Sequence, residues 1–82
     1  MPYELFISGE AREHLRGLSD DIRRQIGYRI QLLQDDFAGD VKKLKGQDNL
    51  YRLRVGDYRI LFRLDGANIE VYAVKQRKDA YE

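Results

Sequence analysis

Apolar residues recur along this chain with two periods, the first of them helical. Ile22, Ile26, Ile30, Leu33 and Phe37 are spaced four, four, three and four apart, the stripe of a helix lying on a core. Ser19 stands as its N-cap, with Asp20 and Asp21 in the first turn, where the helix dipole favours carboxylates. Ala38-Gly39 is expected to close it. Gly27 inside this helix costs about 1 kcal/mol relative to alanine, and close approach of the first helix is the expected return. A shorter stripe, Ala11, Leu15 and Leu18, predicts a first helix with Ser8 as N-cap, Glu10 in its first turn and Gly17 at its end. Ahead of it, Tyr3-Glu4-Leu5-Phe6-Ile7 reads as a strand with apolar residues on both sides.

From Asn49 the period drops to two. NLYRLRVGDYRILFR predicts a hairpin turning at Gly56-Asp57, where glycine supplies the positive φ of a two-residue loop. Val55 then faces Tyr58, Leu53 faces Ile60 and Tyr51 faces Phe62, which makes this the core face. A second hairpin turns at Asp65-Gly66-Ala67-Asn68, pairing Leu64 with Ile69, Phe62 with Val71 and Ile60 with Ala73. The expected fold class is α+β, in the order strand-helix-helix-strand-strand-strand. It is a twisted, mostly antiparallel four-stranded sheet with two helices packed on one face, formed by residues 1–82 as one domain.

The other face of that sheet is cationic. Arg54 lies opposite Arg59, Arg52 opposite Leu61, Arg63 opposite Glu70, Leu61 opposite Tyr72 and Arg59 opposite Val74. Arg63 has a carboxylate across from it and reads as structural; this pairing puts none across from Arg52, Arg54 or Arg59. Like charges directly opposed destabilise a sheet, so an anion, in particular a phosphate, is what would make the arrangement useful. Leu50, Leu61 and Tyr72 interrupt the charges, a surface that suits a protein partner as well as stacked bases. The connector Asp40 to Asp48 holds Lys42, Lys43 and Lys45 around Leu44. It reads either as a solvated loop with one anchoring leucine or as a contact to a phosphate backbone at the rim of the arginine face.

Composition narrows the chemistry. The chain has 82 residues, 43% hydrophobic and 35% charged, with no cysteine and one histidine. Disulfides and thiolate metal sites are excluded, and no apolar run approaches the roughly 20 residues of a membrane span. The first ten residues are too short and too alternating for a signal peptide, so a cytoplasmic location is expected. The net charge of +1 hides a split: residues 1–41 carry −3 and residues 42–82 carry +4. Such a split fits a polyanion partner for the second half. No carboxylate cluster has metal-ligand spacing, and both Ser-His-Asp and Cys-His sets and the phosphate-binding glycine motifs are missing. His14, among charged neighbours on the first helix, reads as an ordinary surface residue. What remains is phosphate chemistry by positive charge. Guanidinium groups bind phosphate oxygens bidentately and stabilise developing charge, but are poor general bases. RNA suits such a site, because its own 2′-hydroxyl already lies beside the scissile phosphate.

The run LKGQDNLYRLRVGDYRILFRL, followed by VYAVKQRKDAYE, closely resembles the RelE/ParE superfamily of prokaryotic toxins, and with the helix pair the resemblance covers nearly the whole chain. The RelE branch implies a ribosome-dependent endoribonuclease that cuts mRNA in the ribosomal A site by attack of the 2′-hydroxyl; with no metal-ligand set in the sequence, no metal or other cofactor is expected. The branch implies catalytic roles for Arg52, Arg54, Arg59, Arg77 and Tyr81; beside them Lys43 and Lys45 of the connector and Lys75 and Lys78 past the last strand are, by their charge, the expected RNA-binding residues. It also implies mRNA and ribosomal RNA as partners, together with an antitoxin protein that packs on the sheet. The best-studied members carry lysines at the positions of Arg52 and Arg54; arginines there favour charge stabilisation over base catalysis. Lys75-Gln76 stands where many relatives have Gly-His or Gly-Lys. The competing ParE branch implies a non-nuclease inhibitor of DNA gyrase, and a third reading is a degenerate toxin that only binds its antitoxin.

Overall fold

Serine begins both helices. The structure, a computed structural model, describes residues 3–46 and 49–76. The Ser8 hydroxyl accepts the Ala11 N–H at 3.1 Å to start α1 (Gly9–Arg16), and Ser19 accepts the Ile22 N–H at 3.4 Å to start α2 (Asp20–Asp36). Gly17 ends α1 as expected, although in a right-handed conformation. The end of α2 differs from expectation. Phe37, not Ala38-Gly39, caps it, at a φ of 53° that side chains rarely adopt. Packing holds Phe37 there, since its ring lies 5.4 Å from Tyr3 and 6.0 Å from both Tyr51 and Phe62. Gly27 also departs from expectation: a Cβ built on it would meet open space, so no helix approaches it.

The sheet has five strands: β1 (Glu4–Ile7), β2 (Asp40–Lys43), β3 (Leu50–Val55), β4 (Tyr58–Asp65) and β5 (Asn68–Gln76). Their order is β1-β5-β4-β3-β2, with β1 parallel to β5 and the other neighbours antiparallel. The α+β class and the mostly antiparallel sheet stand as read from the sequence; the count of four strands does not. The fifth is β2, from the start of the stretch read as a connector. Val41 faces Leu53 and packs on the core, which gives this charged strand its one apolar anchor. Gly39 lets it approach: at a φ of 132°, a Cβ there would lie 2.7 Å from Leu53 Cδ1.

One face of the sheet joins Ile26, Ile30 and Leu33 of α2 and Ala11 of α1 in a core with Leu53, Val55, Ile60, Phe62, Ile69, Val71 and Val74. The register of β3 on β4 is the one read from the sequence, including Arg54 opposite Arg59. The β4–β5 register keeps Leu64–Ile69, Arg63–Glu70 and Phe62–Val71, then shifts by one. Leu61 faces Ala73 instead of Tyr72, Ile60 faces Val74 and Arg59 faces Lys75; Tyr72 is the extra residue of a bulge.

The N-terminal elements steady that bulge. Where β1 ends, the Ser8 N–H donates to the Val71 carbonyl at 2.9 Å and the Ser8 hydroxyl to the Tyr72 carbonyl at 3.3 Å. His14 Nδ1 accepts the Val74 N–H at 3.0 Å. A neutral imidazole accepting at Nδ1 carries its proton on Nε2, which lies 3.9 Å from a Glu10 carboxylate oxygen. His14 is therefore a fixed strut between α1 and the sheet, not the ordinary surface residue its neighbours imply.

Candidate functional site

The bulge lines up cations. Because Val74 is turned into the core beside Ile60, Lys75 takes the place opposite Arg59, and Arg59 lies opposite Arg54. Three cations thus cross β3, β4 and β5 in one row, and Asp40 of β2 extends the row at its edge. The neighbouring row pairs Lys42 with Arg52. Together Lys42, Lys43, Lys45, Arg52, Arg54 and Arg59 line a groove of about 670 Å³, with Leu44 between them.

Asp40 corrects the expectation that Arg52 and Arg54 lack a carboxylate. Arg52 Nη1 donates to the Asp40 backbone carbonyl at 2.9 Å and reaches its carboxylate at 3.3 Å, while Arg54 Nε lies 4.0 Å from the other carboxylate oxygen. The partner was hidden because it sits on β2, which the sequence pattern did not reveal. Arg59 is also engaged, and half-buried. Arg52 is only 8% exposed, yet its Nε finds no hydrogen-bond partner. A buried guanidinium is stable only when paired, so Asp40 holds Arg52 in place. One carboxylate shared by two guanidiniums leaves the groove strongly positive.

Arg63 stands apart, as its strand position implies. It donates to Glu70 at 2.9 Å and lies 5.2 Å above the Tyr72 ring. Burial pushes the Tyr72 phenol above its usual pKa, with the nearby Arg63 charge working in the opposite direction.

Of the candidate residues, Arg52, Arg54, Arg59, Lys43 and Lys45 are brought together on the groove, and Lys75 adjoins Arg59 in register. Arg77, Lys78 and Tyr81 lie outside the described residues. Sequence reasoning missed Asp40, and it left Lys42 as part of a connector rather than a neighbour of Arg52. Alternation of Asp40 and Lys42 about the inward Val41 was the available signal. Among the described residues no group of three or more His, Cys, Asp or Glu side chains could hold a metal ion, and no helix is long and apolar enough to cross a membrane. Chemically, the groove can bind a phosphodiester and offset negative charge that builds on it.

A two-helix, five-stranded sheet carrying a cationic groove is the frame of a known class of toxin. The sequence model described as the ParE toxin of type II toxin–antitoxin systems matches residues 5–81. The chain belongs to this RelE/ParE superfamily of toxins. Toxin RelE3 of Methanocaldococcus jannaschii is 37% identical over 73 residues, covering 83% of each chain. Among solved structures, the RelB–RelE antitoxin–toxin complex from Methanococcus jannaschii aligns with a TM-score of 0.78 and 32% identity over 90% of this chain and 92% of that one. The archaeal RelE–RelB complex from Pyrococcus horikoshii aligns at 0.82 and 27%, over 98% and 100%.

Proposed function

We propose that residues 1–82 act as a single toxin domain that cuts mRNA in the ribosomal A site. The 2′-hydroxyl gives up its proton as its oxygen attacks the adjoining phosphorus, the bond to the 5′-oxygen breaks and that oxygen takes up a proton, so a 2′,3′-cyclic phosphate and a 5′-hydroxyl result. The observation that supports this most is the groove itself, with Arg52, Arg54 and Arg59 turned to one side of the sheet beside three lysines. These groups would grip the scissile phosphate and offset the charge of its pentacoordinate state. By the family resemblance, Arg77 and Tyr81 complete the set, and Lys75 and Lys78 would add phosphate contacts through their charge. The partner on the protein side is a small antitoxin, as in the RelB complexes of the archaeal relatives. The expected setting is the cytoplasm, where both partners are made.

A second reading is the one the ParE branch implies, inhibition of DNA gyrase without RNA cleavage, and the matching family model bears that branch's name. Primer extension on a translated mRNA separates the two. Cuts within A-site codons that vanish with Arg59→Ala or Arg77→Ala, and persist with Arg63→Ala, support the nuclease. Intact mRNA together with inhibited supercoiling supports the gyrase reading. Equal loss from Arg59→Ala and Arg63→Ala would show that the arginines were sorted wrongly.

A further inference from the structure

The cationic groove does not stop at the sheet. Arg54 and Asp40 also wall a second groove, of about 500 Å³, that passes the Val55-Gly56 end of β3 to reach Gln25, Tyr28 and Arg29 of α2. We infer that this α2 groove is a second RNA subsite, which holds one unpaired nucleotide beyond the phosphate bound in the arginine groove.

Three observations converge on it. Tyr28 is 63% exposed, while Tyr3, Phe37, Tyr51 and Phe62 gather into one aromatic cluster. Its ring therefore does nothing for the core and is available to stack on a base. Arg29 has no ion pair or hydrogen bond among the described residues. By contrast, Arg12 donates to the Ile7 carbonyl, Arg16 pairs with Glu13, Arg23 with Asp20 and Arg24 with Asp21. An uncommitted guanidinium beside an exposed ring is the pairing that binds single-stranded RNA, with the cation on a phosphate and the ring under a base. Gln25 adds an amide that can both donate to and accept from a base edge. The groove is of a size for one nucleotide, and its shared wall with the first places that nucleotide next to the gripped phosphate. Because the lining sets two guanidiniums, Arg29 and Arg54, and the Gln25 amide around the Tyr28 ring, RNA fits it better than the apolar segment of a protein.

The nucleotide has two sources, the mRNA beside the cut or ribosomal RNA lining the A site. The inference rests on the ribonuclease reading, and photocrosslinking on translating ribosomes tests the two separately. 4-Thiouridine is placed in the mRNA on either side of the cut codon or, in a second arm, throughout the ribosomal RNA. Crosslinked peptides are then mapped on the intact toxin. A crosslink within residues 25–29 from either RNA supports the subsite and identifies its source. Tyr28→Ala is expected to raise the KM for cleavage about tenfold with little change in kcat, the usual scale for losing one stacked base, and Tyr28→Phe should restore it. Crosslinks confined to β2–β4 in a protein that cuts normally would overturn the inference. So would equal damage from Tyr28→Phe and Tyr28→Ala, or a Tyr28→Ala defect confined to antitoxin binding. A wild-type protein that leaves mRNA intact removes the ribonuclease reading instead, and the crosslinks then decide the subsite on their own.

Discussion

Replacing Asp40 by asparagine should weaken the fold and tighten RNA binding together. In the fold, the carboxylate 3.3 Å from Arg52 makes a charge-assisted contact. Such contacts contribute about 1.5–3 kcal/mol when protected from water. Asp40 itself is 56% exposed, and the Asp40 backbone carbonyl, 2.9 Å from Arg52, is kept in any variant. Solvent screening and that retained bond bring the expected loss to about 1 kcal/mol. At the groove the sign reverses. A phosphate held by the same two guanidiniums would lie about 5 Å from the carboxylate, and at an effective dielectric of about 40 the repulsion is about 1.5 kcal/mol. Screening at physiological salt reduces it to about 1 kcal/mol, roughly fivefold in affinity. Urea unfolding gives the first quantity. Fluorescence anisotropy with a labelled, uncleavable single-stranded RNA gives the second, and the gain should fade as salt is raised. Weaker RNA binding by Asp40→Asn at every salt concentration would refute this account. It would mean that the carboxylate's hold on Arg52 outweighs its repulsion of phosphate.

Other substitutions test the frame. Gly39→Ala brings a methyl to 2.7 Å from Leu53 Cδ1 at a φ of 132°, and should cost about 2–4 kcal/mol in urea unfolding. Gly27→Ala, facing open space within α2, should stabilise by about 0.5–1 kcal/mol in the same measurement. His14→Ala strands the Val74 N–H, and a loss of about 1–2 kcal/mol is expected, with faster amide exchange at Val74 as the local signature. The fold holds the Tyr72 phenol protonated above its usual pKa of 10.0 while the unfolded chain ionises, so stability drains away as pH rises past that value. Tyr72→Phe should lose less of its urea midpoint than wild type between about pH 9 and about pH 11.

What the sequence made legible was whatever local period controls. The β3–β4 register could be read residue by residue, because apolar and cationic residues alternate strictly and Gly56 pins the turn. The serine caps and the stripe of α2 were legible for the same reason. The features that escaped depend on distant contacts. Strand β2 carries a single inward apolar residue, Val41, and is a strand because Gly39 lets it settle on Leu53. The bulge leaves no mark in Val71-Tyr72-Ala73-Val74, where every residue is apolar and any register buries something. The groups that steady it lie some sixty positions away, in Ser8 and His14. Phe37 takes a backbone shape suited to glycine because three rings surround it, which no helix-ending rule anticipates. The candidate site followed suit: its arginines were visible from alternation, whereas the acid that steadies two of them sat on the unseen strand.

The bulge gives β5 two phases. Residues up to Val71 keep step with Phe62 and Arg63, and those from Ala73 onward keep step with Leu61 and Arg59. Excising one residue from a strand is ordinarily among the harshest changes a sheet can suffer, since it turns every later side chain over. Here, removing Tyr72 alone would merge the two phases and leave Lys75 facing Arg59, so that the aromatic ring could be deleted outright while the line of positive charge stays in formation.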